Sequence, residues 1–338
     1  MIVVMGKGVT EEQLDHLTGL IKKAGLKVHV SPGTTKTIVG IIGDESKIEK
    51  DVLESLDFVE KVMPIQKPYR RASREVHPDN TIVDVKGVKI GGNDVVVIAG
   101  PCSVESEEQL YGIGSRLKKM GIKVMRASAY KPRTSPYAFQ GLGVKGLRII
   151  QKVGKELGLV TETEVMDTRS VEEVAKHVDM LRVGARNTQN FDLLKEVGKV
   201  DKPVILKNGI STTVEEWLFA AEYIMNEGNN NVILCERGIR TFEPMTRNTL
   251  NLSVIPILKD VTHLPVIVDP CHAAGKRGPV PALSKASIAV GADGLLIEVH
   301  NDPEHALSDQ SQQLRPEEFE KLYAQLRGVA KAVGRGLI

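Results

Sequence analysis

Cysteine and aromatic residues are scarce in this chain of 338 residues, and no long apolar run occurs in it. Its three cysteines cannot form a disulfide framework, and its aromatic content of 4% includes no basic patch of the kind that binds nucleic acid. The formal net charge is only +2, so no overall field favours a membrane surface or a polyanion. No stretch approaches the roughly 18 apolar residues of a membrane span, and the apolar N-terminal segment is too short for a signal peptide. These absences predict a cytoplasmic protein with neither a nucleic-acid nor a membrane partner.

Eight short apolar runs recur between Val95 and His300, and each is followed at once by a charged or thiol residue. With the residues that follow them, they read VVVIAGPCS, IKVMRAS, LGLVTETE, VDMLRVGAR, PVILKNG, NVILCERG, LPVIVDPCH and GLLIEVH. Helix-length stretches separate the runs, which is the pattern of parallel strands covered on both faces. Eight such units match a closed (β/α)8 barrel better than an open sheet. Because the carboxyl ends of barrel strands share one face, the residues after the runs are expected to converge there.

The first 66 residues follow a different pattern, which predicts a separate ferredoxin-like domain. The predicted elements are strand 2–5, helix 10–24, strands 26–31 and 36–42, helix 45–56 and strand 58–65. Their βαββαβ order is the ferredoxin-like order. Residues 67–80 are rich in basic residues and proline, so they are predicted to form a linker. The predicted barrel domain, 81–338, opens with a hairpin at 81–92 that turns at Lys86 and Gly87 and closes the bottom of the barrel.

Six basic residues stand at or just after predicted strand ends and indicate an anion-binding face. They are Arg126, Lys131, Arg133, Arg186, Lys207 and Arg237. One arginine at a strand end is usually a solvated rim residue, but six cations on one face repel one another unless anions occupy the site. Guanidinium groups bind phosphate and carboxylate through paired hydrogen bonds. Six cations exceed what one phosphate uses, so two phosphorylated substrates, or one phosphate and a carboxylate, fit better.

The segment 130–143, YKPRTSPYAFQGLG, is long for a connection between a strand and a helix. Long loops at this end of a barrel often bind substrates or act as lids. Lys131, Arg133, Thr134 and Ser135 favour an anion-binding segment over a simple surface excursion.

A mixed set of metal-ligating side chains is also expected at this face. Cys102 ends the first strand, Cys271 and His272 follow the seventh, and Glu298 ends the eighth, which is adjacent to the first in a closed barrel. The loop after the eighth strand adds Asp302, His305 and Asp309. Sulfur, nitrogen and oxygen donors together suit a divalent ion such as Zn, Mn, Fe or Co. The chain has no CxxC or HExxH spacing, so this interpretation depends on the barrel, and a buried structural role for each cysteine stays open.

Several segments resemble 3-deoxy-D-arabino-heptulosonate 7-phosphate (DAHP) synthase, in its shorter microbial type with an N-terminal ferredoxin-like regulatory domain. They are GPCSVES, RASAYKPRTSPYAFQGLG, TETEVMD, GARN, LKNG, CERG, DPCHAAG and EVHNDPEHALSD, and they occur in the family's order across residues 80–338. The nearest family by mechanism, 3-deoxy-D-manno-octulosonate 8-phosphate synthase, typically has KANRSS where this chain has KPRTS. The resemblance therefore implies the four-carbon aldehyde as substrate.

What the resemblance implies is a metal-dependent condensation of phosphoenolpyruvate with erythrose 4-phosphate that releases phosphate and needs no organic cofactor. The implied ligands of one divalent ion (Mn, Co, Zn, Fe or similar) are Cys102, His272, Glu298 and Asp309. Phosphoenolpyruvate would be held by Arg186, Lys207 and Arg237 at its phosphate and by Arg126 and Lys131 at its carboxylate. Erythrose 4-phosphate would lie along Arg133, Thr134 and Ser135. Beside His272 as a ligand, the expected catalytic groups are Glu164, near the attacking water, and Lys131 as proton donor.

The resemblance also implies regulation, because residues 1–66 supply none of these side chains. Tyrosine or phenylalanine would bind the small domains as feedback effectors, and the enzyme would be a homotetramer. Two alternatives stay open at this stage, the octulosonate synthase and a non-catalytic amino-acid sensor that has kept the barrel.

Overall fold

A computed structural model of the chain describes residues 1–33, 35–63 and 69–338. The chain folds into two compact units, Met1–Pro68 and Tyr69–Ile338. Within the described residues, no helix is both long enough and apolar enough to cross a membrane.

The first unit is a four-stranded antiparallel sheet with its helices in the predicted βαββαβ order. Its elements are β1 (Ile2–Met5), α1 (Glu11–Lys23), β2 (Lys27–Pro32), β3 (Thr37–Ile42), α2 (Lys50–Glu54) and β4 (Val59–Met63), and the strand order is β2-β3-β1-β4. Helix α1 begins at a capping box formed by Thr10 and Gln13. The ferredoxin-like prediction is confirmed for this unit.

The predicted helix 45–56 is interrupted in the structure. A 3₁₀ turn at Glu45–Lys47, capped by Asp44, precedes the short helix α2. The interruption follows from the backbone of Ile48, which is extended (φ −140°, ψ 126°) and cannot continue a helix. The end of the predicted strand 58–65, the predicted boundary at 66 and the start of the predicted linker lie outside the described residues.

The second unit is a closed barrel of eight parallel strands, as predicted. The strands are β7 (Val96–Gly100), β8 (Val124–Arg126), β9 (Val160–Val165), β10 (Met180–Val183), β11 (Val204–Lys207), β12 (Val232–Glu236), β13 (Val266–Val268) and β14 (Gly294–Glu298). β14 pairs in parallel with β7, so the last strand closes the barrel against the first. The carboxyl ends of strands far apart in the chain therefore meet on one face.

Helices alternate with these strands and cover the outside of the barrel. They are α3 (Glu107–Met120), α4 (Val144–Leu157), α5 (Val171–His177), α6 (Phe191–Gly198), α7 (Val214–Asn226), α8 (Val254–Val261), α9 (Pro270–Ala274), α10 (Val280–Ala289) and α11 (Pro316–Ala332). Helix α7 begins at a Thr213–Glu216 capping box, and α3 ends at Gly121 with a φ of 94°. Their apolar faces and the outward side chains of the strands form the largest buried cluster.

A hairpin of β5 (Val83–Val85) and β6 (Val88–Ile90) plugs the amino end of the barrel. Its two-residue turn places Lys86 at a φ of 52° and Gly87 at 87°, which is the geometry that a tight hairpin requires. The hairpin packs its valines and Ile90 into one buried cluster with inward side chains from all eight strands. One end of the barrel is thereby sealed, and the other is left for chemistry.

Candidate active site

The carboxyl ends of the strands surround a cavity of about 290 Å³. Its lining includes most of the side chains that the sequence had singled out, namely Lys131, Arg133, Thr134, Ser135, Glu164, Arg186, Lys207, Arg237, His272 and Asp309. The other three, Cys102, Arg126 and Glu298, lie directly beneath it and are fully buried. The barrel thus gathers these residues at one place, whereas Asp302 and His305, also expected among the metal-ligating side chains, are exposed and pair with each other at 2.8 Å.

Four potential metal-ligating side chains meet at the floor of this cavity. The Sγ atom of Cys102 lies 3.3 Å from Oδ2 of Asp309. Nε2 of His272 lies 3.6 Å from that same Oδ2 and 3.6 Å from Oε1 of Glu298. We call Cys102, His272, Glu298 and Asp309 the donor quartet.

The donor quartet fits a borderline divalent metal ion. It combines one thiol, one imidazole and two carboxylates, and ligand atoms of Cys102, Glu298 and Asp309 all lie within 4.8 Å of one another. Oε1 of Glu298 is buried and accepts no well-aligned hydrogen bond among the described residues, although a nitrogen of Arg126 lies 3.2 Å away. A buried carboxylate oxygen without a hydrogen bond is costly, and a cation at the centre of the quartet would satisfy it.

Polar groups behind the quartet fix the orientation of its members. Oδ2 of Asp269 lies 2.7 Å from Nδ1 of His272, the ring nitrogen that faces away from the quartet. The side-chain amide of Gln312 donates to Oε2 of Glu298 at 2.6 Å. A carboxylate behind a histidine ligand is a common supporting arrangement at metal sites, because it fixes the tautomer and the ring orientation.

Burial governs the pKa of Cys102, whereas neighbouring charges outweigh burial at Lys131. Burial and the nearby carboxylate of Glu298 raise the pKa of Cys102 to about 12. Lys131 lies within the same pocket, with Nζ 2.9 Å from Sγ of Cys102. Burial alone would lower the pKa of Lys131, but Cys102 and Glu164 together raise it, so this lysine stays protonated near neutral pH.

Glu164 is held as a carboxylate at the edge of the cavity. Burial favours its neutral form, yet Arg182 and then Lys131 lower the pKa below its ordinary value. A Cβ atom on Gly184 would lie 2.2 Å from Oε1 of Glu164, so only glycine leaves room for this carboxylate. The residue is therefore ionised and confined to one position.

Arg182 was missed from the sequence and organises one wall of the site. It is 1% exposed, and it donates to Glu162 at 2.9 Å, to Glu164 at 3.0 Å and to Ser128 at 2.8 Å. The signal was present, because Arg182 interrupts an apolar run and Glu162 and Glu164 alternate on the neighbouring strand. Residues two apart on a strand point to the same face, and Arg182 pairs directly with Glu164 in the register of β9 and β10.

Arg126 lies beneath the cavity rather than in its lining. One of its terminal nitrogens lies 3.2 Å from Oε1 of Glu298 and 3.3 Å from the carbonyl oxygen of Cys102. Its Nε and Nη1 atoms are buried without a hydrogen-bond partner in the described parts of the chain. Arg126 thus contributes positive charge at the floor of the cavity, and it has hydrogen-bond donors that the described residues do not use.

A further part of the cavity wall carries three cations, namely Arg186 after β10, Lys207 at the end of β11 and Arg237 after β12. Lys207 is buried and pairs with Asp269 at 2.5 Å, so Asp269 contacts both Lys207 and His272. The Nη1 atom of Arg237 is buried and has no hydrogen-bond partner within the described residues. Asp269 was not singled out from the sequence, although it lies in the DPCH segment quoted for the resemblance.

The segment 130–143 folds back over the cavity and is tied to the barrel at its base. The backbone N–H of Lys131 donates to Gln140, and that of Gly143 donates to Ala129. Gly141 has a φ of 96°, and a Cβ there would lie 2.2 Å from the carbonyl oxygen of Ala129. Close approach of two backbones therefore fixes the base of the segment, while Tyr137 at its tip is 97% exposed.

Comparison with known proteins agrees with this architecture. Residues 76–335 match the model of the DAHP synthetase I family, and residues 1–67 match that of the DAHP synthase ferredoxin-like domain. A phospho-2-dehydro-3-deoxyheptonate aldolase of Thermotoga maritima is 48% identical over 334 residues, which is 99% of each chain.

A crystal structure of a Thermotoga maritima DAHP synthase superposes with a TM-score of 0.96, at 47% identity, and covers 100% of this chain and 99% of that one. A 2-dehydro-3-deoxyphosphooctonate aldolase of Koribacter versatilis is 34% identical and covers 67% of this chain and 87% of its own. The Koribacter versatilis relative lacks a counterpart to about a third of this chain, whereas the Thermotoga maritima relative matches 99% of it. The family match over most of the chain and the nearly full-length relative together establish that this chain belongs to the DAHP synthetase I family of enzymes.

Proposed function

We propose that this enzyme condenses phosphoenolpyruvate with erythrose 4-phosphate, giving DAHP and inorganic phosphate. The observation that carries the proposal is the donor quartet at the floor of a cavity lined by Lys131, Arg133, Arg186, Lys207 and Arg237. Two phosphorylated substrates would neutralise these cations, and the quartet would hold one divalent ion beside the reacting carbons.

The cations divide between the substrates by position. Arg186, Lys207 and Arg237 come from three neighbouring strand ends and would bind the phosphate of phosphoenolpyruvate, where the unpartnered Nη1 of Arg237 supplies a free donor. Lys131 would bind the carboxylate from above, with the charge of Arg126 below. Arg133, Thr134 and Ser135 lie along the rim and would hold erythrose 4-phosphate.

The residues at the floor supply the acid–base chemistry. A divalent ion in the donor quartet would polarise the aldehyde oxygen of the second substrate. C3 of phosphoenolpyruvate would form the new bond to the aldehyde carbon with the electron pair of the C2–C3 double bond, water would add to C2, and the C2–O bond to phosphate would then break. Glu164, ionised and fixed by Arg182, would orient that water and accept its proton. Lys131, protonated and buried nearby, would donate a proton to the new alkoxide.

Choice of aldehyde separates this function from that of the octulosonate aldolases. The KPRTS segment lines the cavity through Lys131, Arg133, Thr134 and Ser135. We expect phosphate release from phosphoenolpyruvate with erythrose 4-phosphate and little with arabinose 5-phosphate. A higher kcat/KM with arabinose 5-phosphate would make the octulosonate synthase reaction the correct assignment, and no release with either aldehyde would support the non-catalytic alternative.

Metal dependence is tested by removal and replacement. Protein treated with a chelator should lose activity and regain it with Mn, Co, Zn or Fe, and Cys102→Ser should weaken metal binding by about 10-fold or more, since one thiolate donor is exchanged for a weaker one. Cys235→Ser is the matched control, because Cys235 is equally buried and packs in the apolar cluster with the hairpin but is not a member of the donor quartet. Full activity in protein shown by elemental analysis to be metal-free would reject this part of the proposal.

The N-terminal unit, residues 1–66, would serve as the regulatory domain and 81–338 as the catalytic domain. Of the predicted linker 67–80, the part from Tyr69 onward belongs to the barrel unit, where Tyr69 and Ala72 are buried. Tyrosine or phenylalanine would bind the small domains of a homotetramer and favour a less accessible state of the barrel. Removal of residues 1–66 should leave condensation activity and abolish inhibition by either amino acid. Unchanged inhibition of the truncated enzyme would place the effector site in the barrel instead.

A further inference from the structure

A second cavity of about 260 Å³ adjoins the catalytic one, and four arginines line it. They are Arg186, Arg237, Arg240 and Arg247, and Thr134 and Asn248 complete its polar lining. No carboxylate is among the described residues that line it. We call this space the arginine pocket. Arg186, Arg237 and Arg247 also line the catalytic cavity, so the two spaces share a wall.

The loop after β12 holds Arg240 and Arg247 in place through its backbone. Ile239 and Thr249 exchange two backbone hydrogen bonds of 2.9 Å and close the loop into a narrow hairpin. Just inside this bridge, the N–H of Arg240 donates to Ile210 at 2.7 Å, and that of Arg247 donates to Ala274 at 3.1 Å. Both arginines therefore start from fixed positions, although their side chains reach solvent.

The charges in the arginine pocket are only partly balanced by the protein. Arg247 lies 3.7 Å from Asp309 and 3.3 Å from the side-chain oxygen of Gln312. In the described part of the chain, no carboxylate forms an ion pair with Arg240. Burial lowers the pKa of Arg237, and the positive charge of Arg247 lowers it further against the opposing effect of Asp269. The guanidinium groups repel one another, and an anion between them would relieve that repulsion.

We propose that the arginine pocket is a separate subsite for a phosphate dianion, beyond the place assigned to the phosphate of phosphoenolpyruvate. The inference rests on the proposed reaction, in which the bond between C2 and the phosphate oxygen breaks, its electron pair leaves with phosphate, and the C2 hydroxyl gives its proton to the departing phosphate as the ketone forms. Because Arg186 and Arg237 face both cavities, the phosphate can pass to Arg240 and Arg247 without losing guanidinium partners. The phosphate end of the second substrate has the same chemistry, but it is assigned to Arg133, Thr134 and Ser135, so the pocket is proposed for the released phosphate.

Inorganic phosphate is the probe, and binding is measured without turnover. Metal-loaded full-length enzyme is saturated with phosphoenolpyruvate in the absence of aldehyde, and phosphate is titrated in by calorimetry. We expect one phosphate per chain to bind, about 10-fold or more weakly in Arg240→Gln than in the natural protein, because a charge-assisted contact is lost. Arg247→Gln should show a similar loss, with metal content measured because Arg247 contacts Asp309.

Arg169→Gln is the matched control, since it removes one positive charge from an 89% exposed side chain that lines neither cavity. It should bind phosphate as tightly as the natural protein. Absence of phosphate binding beside phosphoenolpyruvate, or equal binding by Arg240→Gln, would overturn the subsite whether or not the enzyme condenses the two substrates. Equal weakening by Arg169→Gln would also overturn it, because that result indicates a general charge effect.

Steady-state measurements then identify the source of the phosphate. A higher inhibition constant for phosphate in Arg240→Gln, at an unchanged KM for erythrose 4-phosphate, assigns the pocket to the released product. A parallel rise of that KM would make the pocket part of the site of the second substrate and would overturn a separate subsite. Unchanged values of both constants would contradict it as well.

Discussion

The two ends of the barrel interior are built from opposite kinds of side chain, although the same eight strands supply both. At the amino end, the inward residues form an apolar cluster with the β5–β6 hairpin, in which Ile98 and Leu296 are fully buried. At the carboxyl end, two to four residues further along β8, β9 and β10, the inward positions are Arg126, Glu162, Glu164 and Arg182. Along these strands, apolar inward side chains at the amino end are followed by a network of buried charges at the carboxyl end.

The difference shows where stability comes from and where function is placed. Burying apolar surface stabilises a fold by about 25 cal/mol per Å². Burying charges has a desolvation cost that paired partners only partly recover. The plugged end can therefore hold the barrel together, while the polar end is maintained because binding and catalysis require it. The following predictions test this contrast, from the largest expected effect to the smallest.

Arg182→Met should have the largest effect on stability. It leaves Glu162 and Glu164 buried without their cationic partner, and loss of one member of a buried ion pair costs about 3–5 kcal/mol. Chemical denaturation measures the change, and Arg182→Lys is the control that keeps the charge. A loss near ~0.5 kcal/mol, as for an exposed pair, would show that the polar end is not strained by unpaired charge.

Leu296→Ala should destabilise the plugged end by about 2–4 kcal/mol, because it opens a cavity in the apolar cluster. The KM for phosphoenolpyruvate should stay unchanged, since Leu296 packs in the apolar cluster with the hairpin and does not line the substrate cavity. Ile257→Ala, at a residue 49% exposed on helix α8, is the control and should change the free energy of unfolding little. A large rise in KM for Leu296→Ala would show that the two ends of the barrel interior are not independent of each other.

Glu164→Gln should lower the free energy of unfolding by an amount that depends on pH. The folded-state pKa of Glu164 lies below its ordinary value of 4.5, so its charge contributes stability above that pH and loses it as the pH falls through the folded pKa. The difference in unfolding free energy between the natural protein and the variant should be largest at pH 7 and shrink below about pH 4.5. Glu172→Gln, at an 81% exposed carboxylate, should show no such trend. A constant difference across this range would mean that Glu164 is not held ionised.

Lys86→Ala should have the smallest effect. Lys86 pairs with Asp179 at 2.6 Å at the edge of the plug, but its side chain is 69% exposed. Exposed ion pairs contribute about 0–1 kcal/mol, and less in high salt. Unfolding measured at low and high salt should differ little between variant and natural protein. A loss above ~2 kcal/mol, beyond that range, would show that the turn depends on this pair.

The barrel and the site face could be predicted because each strand corresponds in the sequence to an apolar run that ends in a polar residue. Arg182 escaped notice because its partners, Glu162 and Glu164, belong to the preceding unit, and only the register of β9 and β10 brings them together. The depth of Arg126 was equally hidden, since a strand-end position does not say whether a side chain rises into the cavity or lies under it. The interruption at Ile48 depends on a local backbone conformation that apolar periodicity does not report.

The pairing of β14 with β7 joins the beginning of the barrel to its end, and the donor quartet spans that seam. Cys102 is synthesised 207 residues before Asp309, so a chain whose synthesis has not yet reached Asp309 holds no complete quartet. Under the proposed function, metal binding and condensation would begin only after β14 has docked against β7. The order of synthesis would then keep an incomplete enzyme inactive.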